Sequence, residues 1–504
     1  MTTQALASCV LALDGTRKLS RDLVGGKAYS LNRMRALGMP VPPAFVITAQ
    51  VCPVYHANAR TLPDFVWQEV LTRLKALEVA VGRTFGGTGS PLLLSVRSGA
   101  ARSMPGMMDT VLNLGLTERL REVLAVETGD ARWVGDTWAR FCRGYTDTVG
   151  TAPPGDPYQQ LRAAIGAVFD SWFSERALAY RDRHQIAGLI GTAVTVQAMV
   201  FGNRDERSAT GVLFSRDPVT GAPELFGEWL PRAQGEDVVS GERTPLPIAA
   251  LAEQQPENHR LLTDLARRLE ADSADVVDIE FTIESGQLFM LQARVGKRSA
   301  RAAARIAVDM VAEGLISETA ALDRITVEQA RQLTRRQELV EEPGELARGI
   351  AAGPGVGGGT AVTGTDEALR MADRGIPVVL VRPTTSPDDV PAMFAATAVV
   401  TEHGGSTSHA ALVCREIGLP CVVGCGDGVS AKLDGLRITV DGSAGRVYAE
   451  DVSAAEGGRR PADPVVDTLT AWAAAHDNGQ TPEPRELPEL LATRERLRAA
   501  EAEK

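Results

Sequence analysis

The residue types best placed to do chemistry lie in one stretch, Thr401-Glu402-His403-Gly404-Gly405-Ser406-Thr407-Ser408-His409, which runs on into Ala410-Ala411-Leu412-Val413-Cys414-Arg415. Two glycines and small hydroxyl residues predict a tight loop, and Ser406 to Ser408 are candidate caps for a helix that starts there. A histidine in the first turn of that helix has free backbone N–H groups and the positive helix end beside it. That field stabilises a phosphoryl group on the ring. It also disfavours imidazolium and so keeps a nitrogen lone pair available for attack. A helix-start histidine is more often a cap or a surface residue, but here the Gly-Gly approach lets a bulky donor come close.

A second set of residues suits phosphate handling. Gly25-Gly26-Lys27 precedes the helical pattern AYSLNRMRALG, so freed amides, a helix start and an ammonium could cradle an anion. The same triplet also occurs in ordinary surface turns. Arg97 stands at the exit of the apolar run LLLSV, where a guanidinium grips two phosphate oxygens or makes a structural ion pair. Asp278 and Glu280 are two apart on an expected strand and share a face. Such a pair suits Mg²⁺, which takes oxygen ligands, or forms merely the wet side of a sheet. Gln292 and Arg294 repeat the alternation on the next strand.

These residues need elements to position them. Residues 1–300 mix short apolar runs with Gly-rich connections, the texture of an α/β or α+β body. VVDIEFTIESGQLFMLQAR (276–294) predicts two strands turning at Glu284-Ser285-Gly286. RSARAAARIAVDMVAEG (298–314) predicts a helix with Ala302, Ile306, Met310 and Val311 on one packed face, leading into a helical linker over 301–346. Alternating short strands and helices over 347–452 predict a small α/β domain. Residues 453–504 read as a polar tail with one solvated helix.

Composition narrows the class. At 504 residues two or three domains are expected, and 44% hydrophobic with 23% charged residues is ordinary globular usage. A net charge of −11 argues against non-specific nucleic-acid binding. No run of about 18 apolar residues predicts a membrane span, and there is no signal-peptide pattern. The six cysteines form no CxxC pair, so a cytoplasmic protein with reduced thiols is expected.

Long motifs then occur in one order: LVGGKAYSLNRMRALGMPVPPAFVIT, SVRSGAARSMPGMMDTVLNLGL, VTVQAMVFGN, SATGVLFSRDPVTG, GEWLPRAQGEDVVSGERTPLPI, DIEFTIESGQLFMLQARVGKR, TSPDDV and GGSTSHAALVCREIGLPCVVG. Over residues 10–450 the chain resembles the pyruvate phosphate dikinase family of phosphoenolpyruvate-utilising enzymes. The resemblance implies an ATP-grasp-like nucleotide-binding domain followed by a small swivelling α/β phosphohistidine domain. It implies Lys27 and Arg97 on the ATP phosphates, and Thr210 and Gly211 in a loop closing over them. Glu236 would lie in the nucleotide pocket, Asp278 and Glu280 near Mg²⁺, and Gln292 and Arg294 on the polyphosphate, with Gln292 also a metal ligand. His409 matches the phosphohistidine, and Thr407 the threonine that a regulatory kinase modifies in some members. His403 and Ser406 depart from the arginine and methionine usual there.

The implied reaction phosphorylates His409 from ATP with orthophosphate, giving AMP and pyrophosphate. The family's C-terminal barrel is expected to be absent. The phosphoryl group would then pass to an acceptor such as pyruvate on a separate barrel-domain protein. The chain is also expected to form a homo-oligomer. Two other readings remain: an antibiotic-type small-molecule phosphotransferase, or a non-catalytic regulatory partner subunit.

Overall fold

The computed structural model describes residues 9–87, 89, 91–102, 104, 107–183, 185–240, 245–334, 344–449, 463–477, 479–481 and 485–502. Two connecting segments whose Gly, Pro and charge suggest exposed hinges run near 340–350 and 450–465, and of these residues 340–343 and 450–462 lie outside the described residues. The fold is mixed α/β with several sheets. It divides into two compact units, Met1–Ala209 with Glu280–Ala293 and Thr210–Ile279 with Arg294–Lys504.

The first unit is built on an antiparallel sheet in the order Val10–Ala12, Ala44–Ile47, Ala193–Ala198, Leu94–Gly99, Thr110–Leu114. Period-2 alternation sends Leu94 and Val96 into a core with Phe45, Val194, Phe141 and Phe169. Arg97, one residue on from Val96, is half-buried on the opposite face. The predicted turn at Ser285-Gly286 is present between strands Val277–Glu284 and Gln287–Val295. Both turn residues have positive φ, 51° and 87°, the signature of a type I′ hairpin. Ser285 tolerates this because its amide donates to Ser208 Oγ (2.9 Å) and its hydroxyl to Asp205.

The second unit holds an eight-stranded sheet. Four adjacent strands in it, Val356–Val362, Val378–Arg382, Ala398–Thr401 and Cys421–Val423, run parallel. They are almost wholly apolar from Val378 on, as strands covered on both faces must be. The loops leaving their carboxyl ends gather on one edge, the place where open α/β sheets expose functional groups.

The helix expected at 298–314 runs Ala300–Ala312, capped by Ser299, with Ala302, Ile306 and Met310 buried and Val311 only partly so. Within 453–504 the described residues form two packed helices instead of the single solvated helix expected. Helices Pro464–Asp477 and Leu487–Ala502 bury Leu469, Ala473, Leu487, Leu490 and Leu491 against Ala304, Leu322 and Leu333. The apolar positions are few enough to be masked by charge in the sequence, yet they join one core.

Candidate functional site

In the first unit the Gly-Gly-Lys element is shaped differently from the expectation. The helix Arg21–Ala36 begins before the glycines, capped by Ser20, and is broken at Gly25 (φ 76°, ψ 163°). Only glycine fits there: a Cβ would lie 2.0 Å from the Gly99 carbonyl oxygen. The break lays this backbone against the end of the Arg97 strand, with Gly26 N–H donating to Ala100 O at 2.9 Å. Lys27 therefore opens the second helical stretch, close beside Gly99. One turn on, the Ser30 hydroxyl donates to Ala293 O (2.6 Å) and ties this helix to the strand that carries Gln292. Arg97 is ion-paired with Glu280 at 3.8 Å. Lys27, Arg97 and Gln292 thus sit on elements that the unit binds together.

The second unit holds the other expected residues. Asp278 is buried, and its Oδ2 accepts from Arg294 Nε at 2.7 Å. Thr210 and Gly211 lie inside strand Ala209–Phe214, not in a loop, because ATGVLF is an apolar, β-branched run that pairs within a sheet. Glu236 lies in the short helix Gly235–Ser240.

His409 opens the helix His409–Ile417, with Ser408 as N-cap accepting from Ala411 N–H. This is the expected placement in the first turn. Its Nδ1 lies 3.2 Å from Thr385 Oγ1. Burial lowers the pKa of the ring, opposed in part by the Asp389 carboxylate, so the imidazole stays neutral to lower pH than usual. Asp389 is itself buried. It fixes the turn that presents Thr385 by accepting from Ser386 N–H (2.9 Å) and Thr365 Oγ1 (2.7 Å) while pairing with Arg382. Thr385 and Asp389 belong to the TSPDDV motif, whose own residues carry no sign of the pairing with His409.

The loop before His409 grips a carboxylate. Glu228, buried on strand Phe226–Pro231, accepts through Oε1 from Ser406 N–H (2.7 Å) and Oγ (2.9 Å). Through Oε2 it accepts from Thr407 N–H (3.3 Å) and Oγ1 (2.9 Å). Gly405 makes this approach feasible, since a Cβ there would fall 2.1 Å from the carboxylate. At the far end of the same helix, Arg415 is buried, donates to Ala352 O and lies 5.7 Å from the Phe214 ring. Burial lowers its pKa, while Asp278 and Glu228 attract it. Glu228 carried no signal of its own in the sequence, because its partners are 178 and 179 residues away.

Comparison with known proteins bears directly on this arrangement. Residues 58–257 match the family described as pyruvate phosphate dikinase, AMP/ATP-binding domain. Residues 376–445, which include Thr385 and His409, match the PEP-utilising enzyme, mobile domain. Among curated proteins, the "Pyruvate, phosphate dikinase" of Clostridium symbiosum is 39% identical over 499 residues, covering 86% of this chain. That of Rhizobium meliloti (strain 1021) is 40% identical over 513 residues, again 86% of the chain. "Pyruvate, phosphate dikinase 2" of Zea mays is 40% identical over 494 residues, 85% of the chain. The chain belongs to the pyruvate phosphate dikinase family. It spans about half the length of these dikinases: 57%, 56% and 56% of the three. The region matching the family's mobile domain contains the whole helix with His409 at its start, and Glu228 falls within the AMP/ATP-binding match. Among the described residues no helix is long and apolar enough to cross a membrane.

Proposed function

We propose that this chain is an ATP-dependent dikinase-type phosphotransferase that phosphorylates its own His409. In this reading residues 1–300 form an ATP-grasp-like nucleotide domain and 347–452 a swivelling phosphohistidine domain, with 301–346 as helical linker. The observation that carries it is the state of His409: a half-buried imidazole at a helix N-terminus, its pKa lowered and its Nδ1 against a threonine hydroxyl. If Nδ1 carries the proton and donates to Thr385 Oγ1, Nε2 keeps its lone pair and is the nucleophile. The helix start then stabilises the phosphoryl group once it is on the ring.

Lys27 and Arg97 are assigned to the ATP phosphates, Glu236 to the nucleotide pocket, Thr210 and Gly211 to the phosphate side of that pocket, and Gln292 and Arg294 to the polyphosphate. Asp278, Glu280 and Gln292 offer an all-oxygen donor set, which fits Mg²⁺. The ion would neutralise charge on the phosphoryl oxygens. The arginines now paired with Asp278 and Glu280 would move to phosphate when ATP binds, because a guanidinium serves either anion equally well. Orthophosphate takes the remaining phosphoryl group, so the products are AMP, pyrophosphate and phospho-His409.

The names of the relatives point to pyruvate as the final acceptor, and a separate barrel-domain protein would bring it to His409. His409 must meet ATP and later that acceptor at about 3 Å in line, which requires its domain to move between two poses. The four hydrogen bonds from Ser406 and Thr407 to Glu228 would hold one of these poses. The test is incubation with ATP, Mg²⁺ and labelled orthophosphate. Label in pyrophosphate with AMP formed supports the dikinase; ADP as sole nucleotide product rejects it.

A further inference from the structure

The carboxyl edge of the parallel strands carries a second cluster, which the phosphoryl chemistry does not use. Glu402 and His403 leave strand Ala398–Thr401, and Asp427 lies in the loop leaving Cys421–Val423. One ligand atom from each lies within 4.8 Å of the other two. His403 Nε2 is 3.4 Å from Asp427 Oδ1 and 3.9 Å from Glu402 Oε2. Metal–ligand bonds of about 2.0–2.2 Å at tetrahedral angles put neighbouring donor atoms about 3.3 Å apart. The cluster is close to that spacing without an ion.

Its frame is rigid. Glu402 is 8% exposed, and its Oε1 is taken by Ser430, which donates both N–H (2.7 Å) and hydroxyl. This turns Oε2 toward His403. His403 is fixed on both sides of its backbone: its N–H donates to Pro383 O (3.0 Å) and its carbonyl accepts from Thr401 Oγ1 (2.7 Å). The Asp427 loop is stitched to the same strand end through Cys425 N–H to Thr401 O (3.0 Å) and Gly426 N–H to Glu402 O (2.9 Å). Only the exposed Asp427 side chain needs to swing inward.

We propose that Glu402, His403 and Asp427 bind a divalent transition ion of the zinc or manganese class. One imidazole and two carboxylates suit such ions, whereas Mg²⁺ prefers oxygen alone. Three protein ligands leave at least one position for water. Ser430 is the outer-shell partner that aims Glu402. An ion held here ties the loop leading to His409 to the loop at 424–428, so it restrains the approach to the histidine without touching it.

The test uses the full chain, stripped of metal and dialysed against micromolar Zn²⁺ in millimolar Mg²⁺, with bound zinc measured by elemental analysis. The expected result is one zinc per chain, with affinity reduced at least about 10-fold in H403Q and in D427N, and also in S430A. Because Asp427 is exposed, D427N keeps the test open if H403Q misfolds. Cobalt substitution should give visible bands without a thiolate charge-transfer band. Equal zinc binding by wild type, H403Q and D427N overturns the proposal, as does absence of zinc from the wild type. A thiolate band, which would move the ion to a cysteine, also overturns it.

Discussion

Replacing Glu228 by glutamine keeps the side chain's size and removes its charge, and the geometry fixes what is lost. Each carboxylate oxygen now accepts one backbone N–H and one hydroxyl. A glutamine oxygen can serve one such pair, but its NH₂ must then face the other. A hydroxyl can rotate to accept from that NH₂; a backbone N–H cannot. One buried donor is orphaned, at about 1–3 kcal/mol, and the remaining bonds lose charge assistance, worth about 1 kcal/mol or more. The sum is about 3 kcal/mol, or about 100-fold in the equilibrium between held and released loop. Hydrogen exchange reads this directly, because the Ser406 and Thr407 amides are two of the four donors. In Glu228→Gln these amides should exchange about 100-fold faster, while Val399 and Val400 in the neighbouring strand keep wild-type protection. Unchanged protection of Ser406 and Thr407 in a folded variant would mean that Glu228 does not hold this loop.

Three further outcomes are expected. Chelating Mg²⁺, or making Glu280→Gln, should slow His409 charging at least ~100-fold, measured as protein-bound phosphate in single turnover; unchanged rates would leave Glu280 as no more than Arg97's ion-pair partner. Charging requires neutral imidazole, so it falls as pH drops through the His409 pKa. Burial sets that pKa below the ordinary 6.5, so the acid limb of the pH–rate profile should be centred below 6.5, and one centred above contradicts the assignment. Leu490→Ala should destabilise the second unit by about 2–5 kcal/mol in urea unfolding, since Leu490 is 2% exposed in the core shared with Leu322 and Leu333; no loss would show that the C-terminal helices are not packed there.

What the sequence made legible was local. The hairpin at Ser285-Gly286 declares itself because a glycine that readily takes positive φ stands between two strand-like runs, and the Ala300–Ala312 helix because its apolar residues recur at helical spacing. The placement of His409 at a helix start was legible for the same reason: its cap and glycines are its neighbours in the chain. The residues that act on this segment from elsewhere were not legible. Thr385 and Asp389 reach His409 across the edge of the parallel sheet, and Glu228 reaches Ser406 from a strand 178 residues earlier. No periodicity encodes such a pairing. The first helical stretch before Gly25 was not legible for a related reason, since a helix that starts, stops and restarts is dictated by contact with Gly99 and Ala100 rather than by its own residues.

Transfer of the phosphoryl group to His409 can be read directly on the protein. The protein incubated with ATP labelled in its β-phosphoryl group, Mg²⁺ and orthophosphate, then digested under alkaline conditions, should carry labelled, acid-labile phosphate on the peptide containing His409. AMP should form in equal amount, and His409→Asn, with ATP binding retained, should carry none. Phosphate retained by the His409→Asn protein would contradict the account.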